Sequence, residues 1–436
     1  MSRKGAVTGE RAPVLQGLQD ILRPLVAFYL DLHRNPELSG RESRTASRFA
    51  EWLEQEPYRV TRGVGGHGVV GVLHNGTGPC VMLRAELDAL PVTERTGLAY
   101  AAEGPVMHAC GHDLHLAALA GAATLLARSA DSWRGTVLIV AQPAEETLEG
   151  ARAMLEDGLY RRFPRPDTVL AQHCAPLPAG MVAHADPAGH APVLGGSVTM
   201  EATVRGRGGH AGAPHMAVDP LLTAASAVLR LQGVVARETA PGEQAVLNVG
   251  SLHAGSGANV IPDEAVLGVT VRALSEASLD RLAEAVERIV RAECAASGCP
   301  EEPRIDVVSR SPVTMTDRAA TEAVREAHRE LYGPERVSGW LPTLATEDFP
   351  LYGDAGSPLH GEEGIATVYW MLGAVGAGQY ARAPGETAAE KLAALPANHA
   401  PDFAPDVRAS LPAGVTAMTS AALARLGEPP RTVRSR

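Results

Sequence analysis

Two adjacent carboxylates and a nearby Cys-x-His triplet are the residues of this chain that could do chemistry together. Glu145 and Glu146 follow the apolar run 136–141, about thirty residues after Cys110 and His112. Carboxylates at the end of a buried strand are costly to place unless a cation meets them. Parallel strands of α/β proteins present functional groups at their carboxyl ends. A thiol, an imidazole and a carboxylate gathered there suggest a metal site, and the second carboxylate suggests hydrolysis.

The spacing within each pair predicts how the side chains are aimed. Positions i and i+2 of an extended segment share a face, so Cys110 and His112 can converge, and Gly111 permits an unusual backbone angle. Adjacent glutamates of an extended chain project to opposite sides, so one can bind metal while the other reaches the activated water. Each motif alone is ambiguous, because a single Cys-x-His pair is more often structural and an isolated Glu-Glu is more often a solvated turn. His173 and His399 likewise count only through their joint presence.

Alternating helical and strand patterns around these motifs predict an α/β architecture. Helical spacing is found at 14–32, 41–55, 114–130, 150–160, 317–331 and 406–426. Strand patterns are found at 59–62, 67–74, 79–85, 136–141, 167–172 and 365–372. Asp113 is the predicted N-cap of the third helix. The Gly/Ala/Pro-rich stretch 373–397 is predicted to be a mobile loop.

The pattern changes near residue 194. Strands at 197–205, 245–253, 265–273 and 304–309 and helices at 217–237 and 277–296 follow the order β-α-β-β-α-β. That order is typical of a ferredoxin-like split βαβ sandwich, and about 110 residues is a normal domain size. We therefore predict a discontinuous catalytic domain from 1–193 and 308–436, with an inserted α+β domain from 194–307.

Composition excludes several classes of partner. The formal net charge of −11 over 436 residues argues against binding to nucleic acid or to an anionic membrane. No apolar run approaches the roughly 18–20 residues of a membrane span, and the first residues lack the apolar core of a signal peptide. Five sparse cysteines suggest reduced thiols, so a cytoplasmic location is expected.

Seven short stretches resemble the M20 metallopeptidase family, in particular its amidohydrolase branch of aminoacylases, hippurate hydrolases and auxin-conjugate hydrolases. They run nearly end to end in the family's order, at 33–38, 83–91, 107–113, 142–146, 206–211, 259–263 and 346–349. The resemblance implies a catalytic domain with a mixed sheet flanked by helices. It also implies that 194–307 is a lid and dimerisation domain. Two departures are Glu86, where most members have Asp, and Asn398, where a second histidine is usual.

The resemblance also implies roles for individual residues. Two divalent metal ions are implied, and mixed ligands of this kind would accept Zn, Mn, Co or Ni. Their implied ligands are Cys110, His112, Glu146, His173 and His399. The implied general base is Glu145, the lid group that stabilises the oxyanion is His210, and the groups that hold a substrate carboxylate are Asn259 and Arg272. The carboxylates expected to contact these groups from behind are Asp88 and Glu347, and the histidines assigned to structure are His108, His115 and His215.

The expected function is metal-dependent hydrolysis of the amide bond of N-acyl amino acids, which are small-molecule substrates. A dipeptidase or an aminobenzoyl-glutamate-type hydrolase of the same family is an alternative. Cys110 with His112 could instead be a thiol nucleophile and its base. Arg272 fits a strand-surface salt bridge as well as it fits substrate binding. A binding protein that keeps the fold without catalysis is the alternative of another class.

Overall fold

The computed structural model of the chain describes residues 14–186 and 191–429. Its strands are β1 (Arg59–Val64), β2 (Gly68–Asn75), β3 (Cys80–Glu86), β4 (Gly135–Gln142), β5 (Thr168–Pro178), β6 (Val182–Ala185), β7 (Gly196–Arg205), β8 (Gly209–His210), β9 (Ala245–Ala254), β10 (Val260–Ile261), β11 (Glu264–Ala273), β12 (Arg304–Ser311), β13 (Val337–Trp340) and β14 (Ala366–Val375). Its α-helices are α1 (Leu18–Arg34), α2 (Ser43–Leu53), α3 (His112–Arg128), α4 (Gly150–Glu156), α5 (Leu159–Arg162), α6 (Pro220–Leu231), α7 (Gly233–Glu238), α8 (Glu276–Ala296), α9 (Arg318–Tyr332), α10 (Ser357–His360), α11 (Ala377–Arg382), α12 (Ala388–Ala393) and α13 (Val407–Arg425). Short 3₁₀ turns lie at Ala130–Ser132, Pro214–Met216, Pro334–Arg336, Phe349–Tyr352 and Asp354–Gly356. The described residues divide into two compact units, one within 14–186, 191–193, 315–341 and 348–429, the other of residues 194–314 and 342–347.

The first unit is built on an eight-stranded mixed sheet, in the order β1-β2-β4-β3-β5-β14-β6-β13. Its central strands β4, β3, β5 and β14 are parallel, whereas β1 and β2 run antiparallel at one side. Every residue of β3 and β4 is buried, as expected for parallel strands that helices cover on both faces. The predicted α/β fold with a mixed sheet flanked by helices is confirmed.

Helix α3 is the central helix of this unit. Its residues from His112 to Ala127 are all buried, because α1, α2 and α13 pack around it. An apolar helix without a polar face is typical of such a central position. The amino end of α3 therefore lies in the interior, close to the carboxyl ends of the parallel strands, and this arrangement positions the polar residues described below.

The second unit contains a four-stranded antiparallel sheet, in the order β12-β7-β11-β9, with α6 and α8 packed against it. Strand β11 alternates between buried and half-buried residues along its whole length, which is the pattern of a sheet covered on one face. Helix α8 buries the stripe Leu279, Leu282, Val286 and Val290. The main elements of this unit follow one another as β7-α6-β9-β11-α8-β12.

Two local predictions were wrong. The stretch 373–397 is not one long loop, because β14 continues to Val375 and α11 and α12 follow it. Helix α3 begins at His112 after Gly111, whose φ is +84°, so Asp113 lies inside the first turn rather than at the N-cap. The carboxylate of Asp113 accepts hydrogen bonds from the amide of Leu114 and from the ring of His33. Among the described residues, no helix is long and apolar enough to cross a membrane.

Candidate metal centre

The turn that follows β4 carries both carboxylates. Ala144 has a φ of +48° and Leu148 a φ of +58°, and the turn leads directly into α4. The amide of Ala144 donates to Glu42 at 2.8 Å, and the amide of Glu146 donates to Asp88 at 2.9 Å. The prediction of an extended segment with carboxylates on opposite sides was wrong. The turn aims both Glu145 and Glu146 at the same imidazole.

That imidazole belongs to His112, the first residue of α3. Its Nδ1 lies 2.9 Å from the main-chain oxygen of Asp88, to which it donates, and 3.2 Å from a carboxylate oxygen of the same residue. Its Nε2 lies 3.7 Å from Glu145 Oε2 and 3.8 Å from Glu146 Oε1. Asp88 therefore contacts both the imidazole of His112 and the carboxylate turn.

Cys110 is the meeting point of two further histidines. His173, on β5, places its Nε2 3.3 Å from Cys110 Sγ. His399 reaches the same sulfur at 3.3 Å, and its Nε2 lies 3.4 Å from Glu146 Oε2. The backbone of His399 has a φ of +72°, which is unusual for a residue with a side chain, and its amide donates to Ala109. Segments from four parts of the chain thus converge on one sulfur and one carboxylate.

These residues form three overlapping groups of possible metal ligands. In each group the ligand atoms lie within 4.8 Å of one another. The groups are Cys110 with His112 and His173, Cys110 with Glu146 and His399, and His112 with Glu145 and Glu146. All five residues proposed as ligands from the sequence, and the proposed base, therefore lie in one place.

The electrostatics of the site favour a bound cation. Burial acts to lower the pKa of His112, but the hydrogen bond to Asp88 and the nearby carboxylates raise that pKa to about 10. Burial, followed by the charges of Glu146 and Glu145, holds the pKa of the Cys110 thiol well above its usual value. The imidazole is thus favoured as a cation and the thiolate is disfavoured. Nearby negative charge contributes to both effects, after burial in the case of Cys110, and a divalent cation would offset that charge.

Unsatisfied atoms at the same place support this interpretation. His112 Nε2 and Glu146 Oε1 are buried and have no hydrogen-bond partner among the described residues. Such atoms are rare in folded proteins, and their position here fits ligands of an ion. Thiol, imidazole and carboxylate groups together form a donor set that suits first-row divalent metals.

A comparison with family models decides the membership. Residues 82–397 match the model of peptidase family M20/M25/M40. The chain belongs to this family. It is a hydrolytic enzyme of that family and an M20 amidohydrolase, as its relatives indicate.

Relatives of this M20 enzyme include a hydrolase and a deacetylase. Hippurate hydrolase of Campylobacter jejuni is 36% identical over 324 residues, which cover 74% of this chain and 82% of the relative. N-acetylcysteine deacetylase of Bacillus subtilis is 32% identical over 340 residues, which cover 75% of this chain and 84% of the relative. A solved structure from Bacillus subtilis, described as a dinuclear metal binding peptidase from the M20 family, is 26% identical with a TM-score of 0.71. That match covers 94% of this chain and all of the solved chain.

Three residues of this M20 enzyme support the site in ways that the sequence did not show. Asn398 donates to the main-chain oxygens of Cys110 and Cys174, at 3.3 and 3.4 Å, and so ties the segment of His399 to the site. Glu42 accepts from the amide at the start of the carboxylate turn. His115 hydrogen bonds to Glu86 and to the amide of Cys174. Asn398 adjoins His399, and that position is the one signal in the sequence for its role, whereas Glu42 had none. The partners of both residues are distant in sequence.

The remaining candidate residues belong to the second unit. His210 is exposed on β8, where it is paired with Val260, and the amide of Ala211 donates to the oxygen of Asn259. Arg272 lies on β11 and its guanidinium donates to the main-chain oxygen of Leu344 at 3.0 Å. No ion pair of Arg272 is found among the described residues, so the salt-bridge alternative is not what the structure shows. The main-chain oxygen of Glu347 accepts from Ser311 at 2.6 Å.

Proposed function

We propose that this M20 enzyme hydrolyses the amide bond of N-acyl amino acids with two divalent metal ions held by Cys110, His112, Glu146, His173 and His399. The observation that carries the proposal is the convergence of these donors, with Glu145, into groups that share Cys110 and Glu146. Five ligands exceed the four of a closed zinc site, whereas two ions that share a ligand accommodate them. The names of two relatives, a hippurate hydrolase and an N-acetylcysteine deacetylase, support the substrate class.

Each residue of the site has a distinct task in this reaction. When bound, the metal ions would lower the pKa of water towards about 7 and polarise the amide carbonyl. Glu145, beside His112, accepts the proton of the attacking water and returns it to the leaving amine. Asp88 holds His112 so that its Nε2 faces the carboxylates. The residues of β4 and those of α3 from His112 to Ala127 are buried, so bulk water is excluded from these two elements.

The second unit supplies substrate recognition in this proposal. Residues 194–307 act as a ferredoxin-like lid, as the order of their elements suggests, and His210 stabilises the developing oxyanion. Arg272 and Asn259 hold the carboxylate of the amino acid, because an arginine fork fits a carboxylate bidentately. Glu347, like Asp88, contacts residues of the metal site from behind and orients them. A homodimer formed through this unit and a cytoplasmic location remain predictions.

The alternatives make different demands on the site. A thiol nucleophile needs a low pKa, whereas burial and two carboxylates raise that of Cys110. A dipeptidase would need a free amino group to be recognised, and a binding protein would need no base. Hydrolysis of an N-acyl amino acid uses every converging group.

A substrate panel with metal analysis tests the proposal. Purified protein is loaded separately with Zn, Mn, Co or Ni, its metal content is measured, and N-acetyl amino acids, N-benzoyl amino acids, dipeptides and aminobenzoyl-glutamate are assayed. We expect about two ions per chain and turnover of N-acyl amino acids. Turnover of dipeptides alone would assign the alternative peptidase activity. Loaded protein with no turnover of any amide would favour the binding protein.

A further inference from the structure

Strand β5 reaches the metal centre after its pairing on one side has ended. On that side it pairs with β3, and the last paired residues are Arg84 and Ala171. Further along β5, the amide of Cys174 donates to a side chain, the Nε2 of His115, at 2.8 Å. A buried amide left without an acceptor is destabilising. His115, from α3, therefore supplies an acceptor where the neighbouring strand does not.

The direction of this hydrogen bond fixes the tautomer of His115. A main-chain N–H can only donate, so Nε2 of His115 accepts and the ring proton lies on Nδ1. That nitrogen lies 2.8 Å from Oε2 of Glu86. Glu86 is fully buried, and its other carboxylate oxygen contacts the guanidinium of Arg84. Glu86 is thereby held as the acceptor for His115.

The same reasoning applies to the next residue along the chain of contacts, His173. Its Nδ1 lies 2.9 Å from the main-chain oxygen of Cys174, which can only accept. The ring proton of His173 is therefore on Nδ1, and the lone pair is on Nε2, which faces Cys110 Sγ at 3.3 Å. An imidazole binds a metal through such a lone pair, and a partner on its other nitrogen selects the tautomer.

One residue, Cys174, joins the two imidazoles. Its N–H, in the peptide bond with His173, donates to His115, and its C=O, in the peptide bond with Ala175, accepts from His173. The backbone of Cys174 is thus held by one ring and in turn holds the other. We propose that His115, itself held by Glu86, is a positioning residue that sets the tautomer and orientation of His173 through the backbone of Cys174. This inference rests on the proposed function only in taking His173 as a metal ligand. The sequence assigned His115 to structure alone.

Matched substitutions test this positioning role. His115→Leu removes both hydrogen bonds, and loss of such a supporting group weakens metal affinity about 10–100-fold. His115→Gln keeps an amide oxygen for Cys174 and an amide N–H for Glu86, so we expect it to recover much of that loss. His328 is the control, because it is a fully buried histidine of the same unit that contacts a main-chain oxygen on α13. His328→Leu should lower the melting temperature but leave zinc affinity, measured by competition with a chelating dye, unchanged.

A second measurement reads the tautomer directly. In metal-free protein with ¹⁵N-labelled histidine, the two-bond ¹H–¹⁵N spectrum identifies which ring nitrogen carries the proton, and His173→Gln assigns the signal. We expect the proton of His173 on Nδ1 in the natural chain and a mixture of tautomers in His115→Leu. If the natural chain binds none of Zn, Mn, Co and Ni, the proposed function fails, whereas this spectrum still decides the positioning role. A proton on Nε2 of His173 in the natural chain, or unweakened zinc binding by His115→Leu, overturns it. If His115→Leu does not fold, the spectra of the natural chain and of His115→Gln decide in the same way.

Discussion

His112 Nε2 faces Glu146 Oε1 at 3.8 Å, and neither atom has a hydrogen-bond partner among the described residues. The gap between them is too long for a hydrogen bond and suits two ligands of a shared cation. Because both atoms are buried, the free energy of leaving them unpaired is substantial. A cation that pairs them would stabilise the fold as well as the reaction.

Removal of metal should therefore lower both activity and thermal stability. Binding to the folded chain alone stabilises it by about 2.7 kcal/mol when the free metal is at 100 times its dissociation constant. We expect a chelator to abolish turnover and to reduce the melting temperature, and added Zn or Mn to restore both. Differential scanning fluorimetry with a parallel assay measures this. Full activity of protein that metal analysis shows to be metal-free would contradict the metal centre.

Glu145→Gln should reduce kcat strongly while metal stays bound. The amide has nearly the same shape but cannot accept the proton of water, and general base catalysis contributes about 10²–10⁴-fold to a rate. Turnover and metal content are measured on the same sample. Glu149→Gln, an exposed residue of the same turn, is the control and should behave as the natural chain. Near-normal kcat in Glu145→Gln would remove this residue from the mechanism.

The sequence predicted the framework of the site better than its geometry. The run at 136–141 predicted β4 because its branched residues suit a covered sheet, and the motifs of the family resemblance located the candidate ligands. The turn at Ala144 could not be predicted, because a positive φ at alanine has no local signal and depends on Glu42, about a hundred residues away. For the same reason the contacts of Asn398 could not be predicted, and the sequence showed this residue only as a departure from a motif. Local pattern predicts elements, whereas these contacts depend on how distant elements pack.

Arg272→Ala should raise KM for substrates that carry a carboxylate and leave their amides little affected. A hydrogen bond to a charged group contributes about 1.5–3 kcal/mol, which corresponds to roughly 10–100-fold in binding. KM is compared for an N-acetyl amino acid and for its C-terminal amide. Arg310→Ala is the control, since Arg310 lies in the same unit and pairs with Glu276 and Asp280. Equal KM changes for both substrates would count against carboxylate recognition by Arg272.

Glu42→Ala should disturb the carboxylate turn, whereas Glu42→Gln should preserve it. One oxygen of Glu42 accepts from the amides of Gly40 and Ala144, both at 2.8 Å, and the other has no partner among the described residues. Burial raises the pKa of this carboxyl, so an amide replaces it at modest cost. Loss of the two bonds in Glu42→Ala costs about 2–4 kcal/mol of unfolding free energy. Urea unfolding measures the difference. Equal stability of both variants would show that the hydrogen bonds accepted by Glu42 do not hold the carboxylate turn.

His184, on β6, should make the first unit sensitive to acid. Burial, with the nearby charges of His328, Arg325 and Arg329, holds its pKa well below 6.5. Below pH 6.5 the unfolded chain takes up a proton on this ring that the folded chain does not. The free energy of unfolding therefore falls by about 1.4 kcal/mol for each unit by which the pH is lowered. Above pH 6.5 both states leave the ring neutral, and this contribution is constant. His184→Gln should therefore be less stable than the natural chain at pH 8, because its contact with His328 at 2.9 Å is altered, but should lose less stability between pH 7 and pH 5. Urea unfolding at each pH measures both slopes, and the difference between them cancels the other acid-sensitive groups. Identical slopes would show that His184 accepts its proton in the folded chain as readily as in the unfolded one.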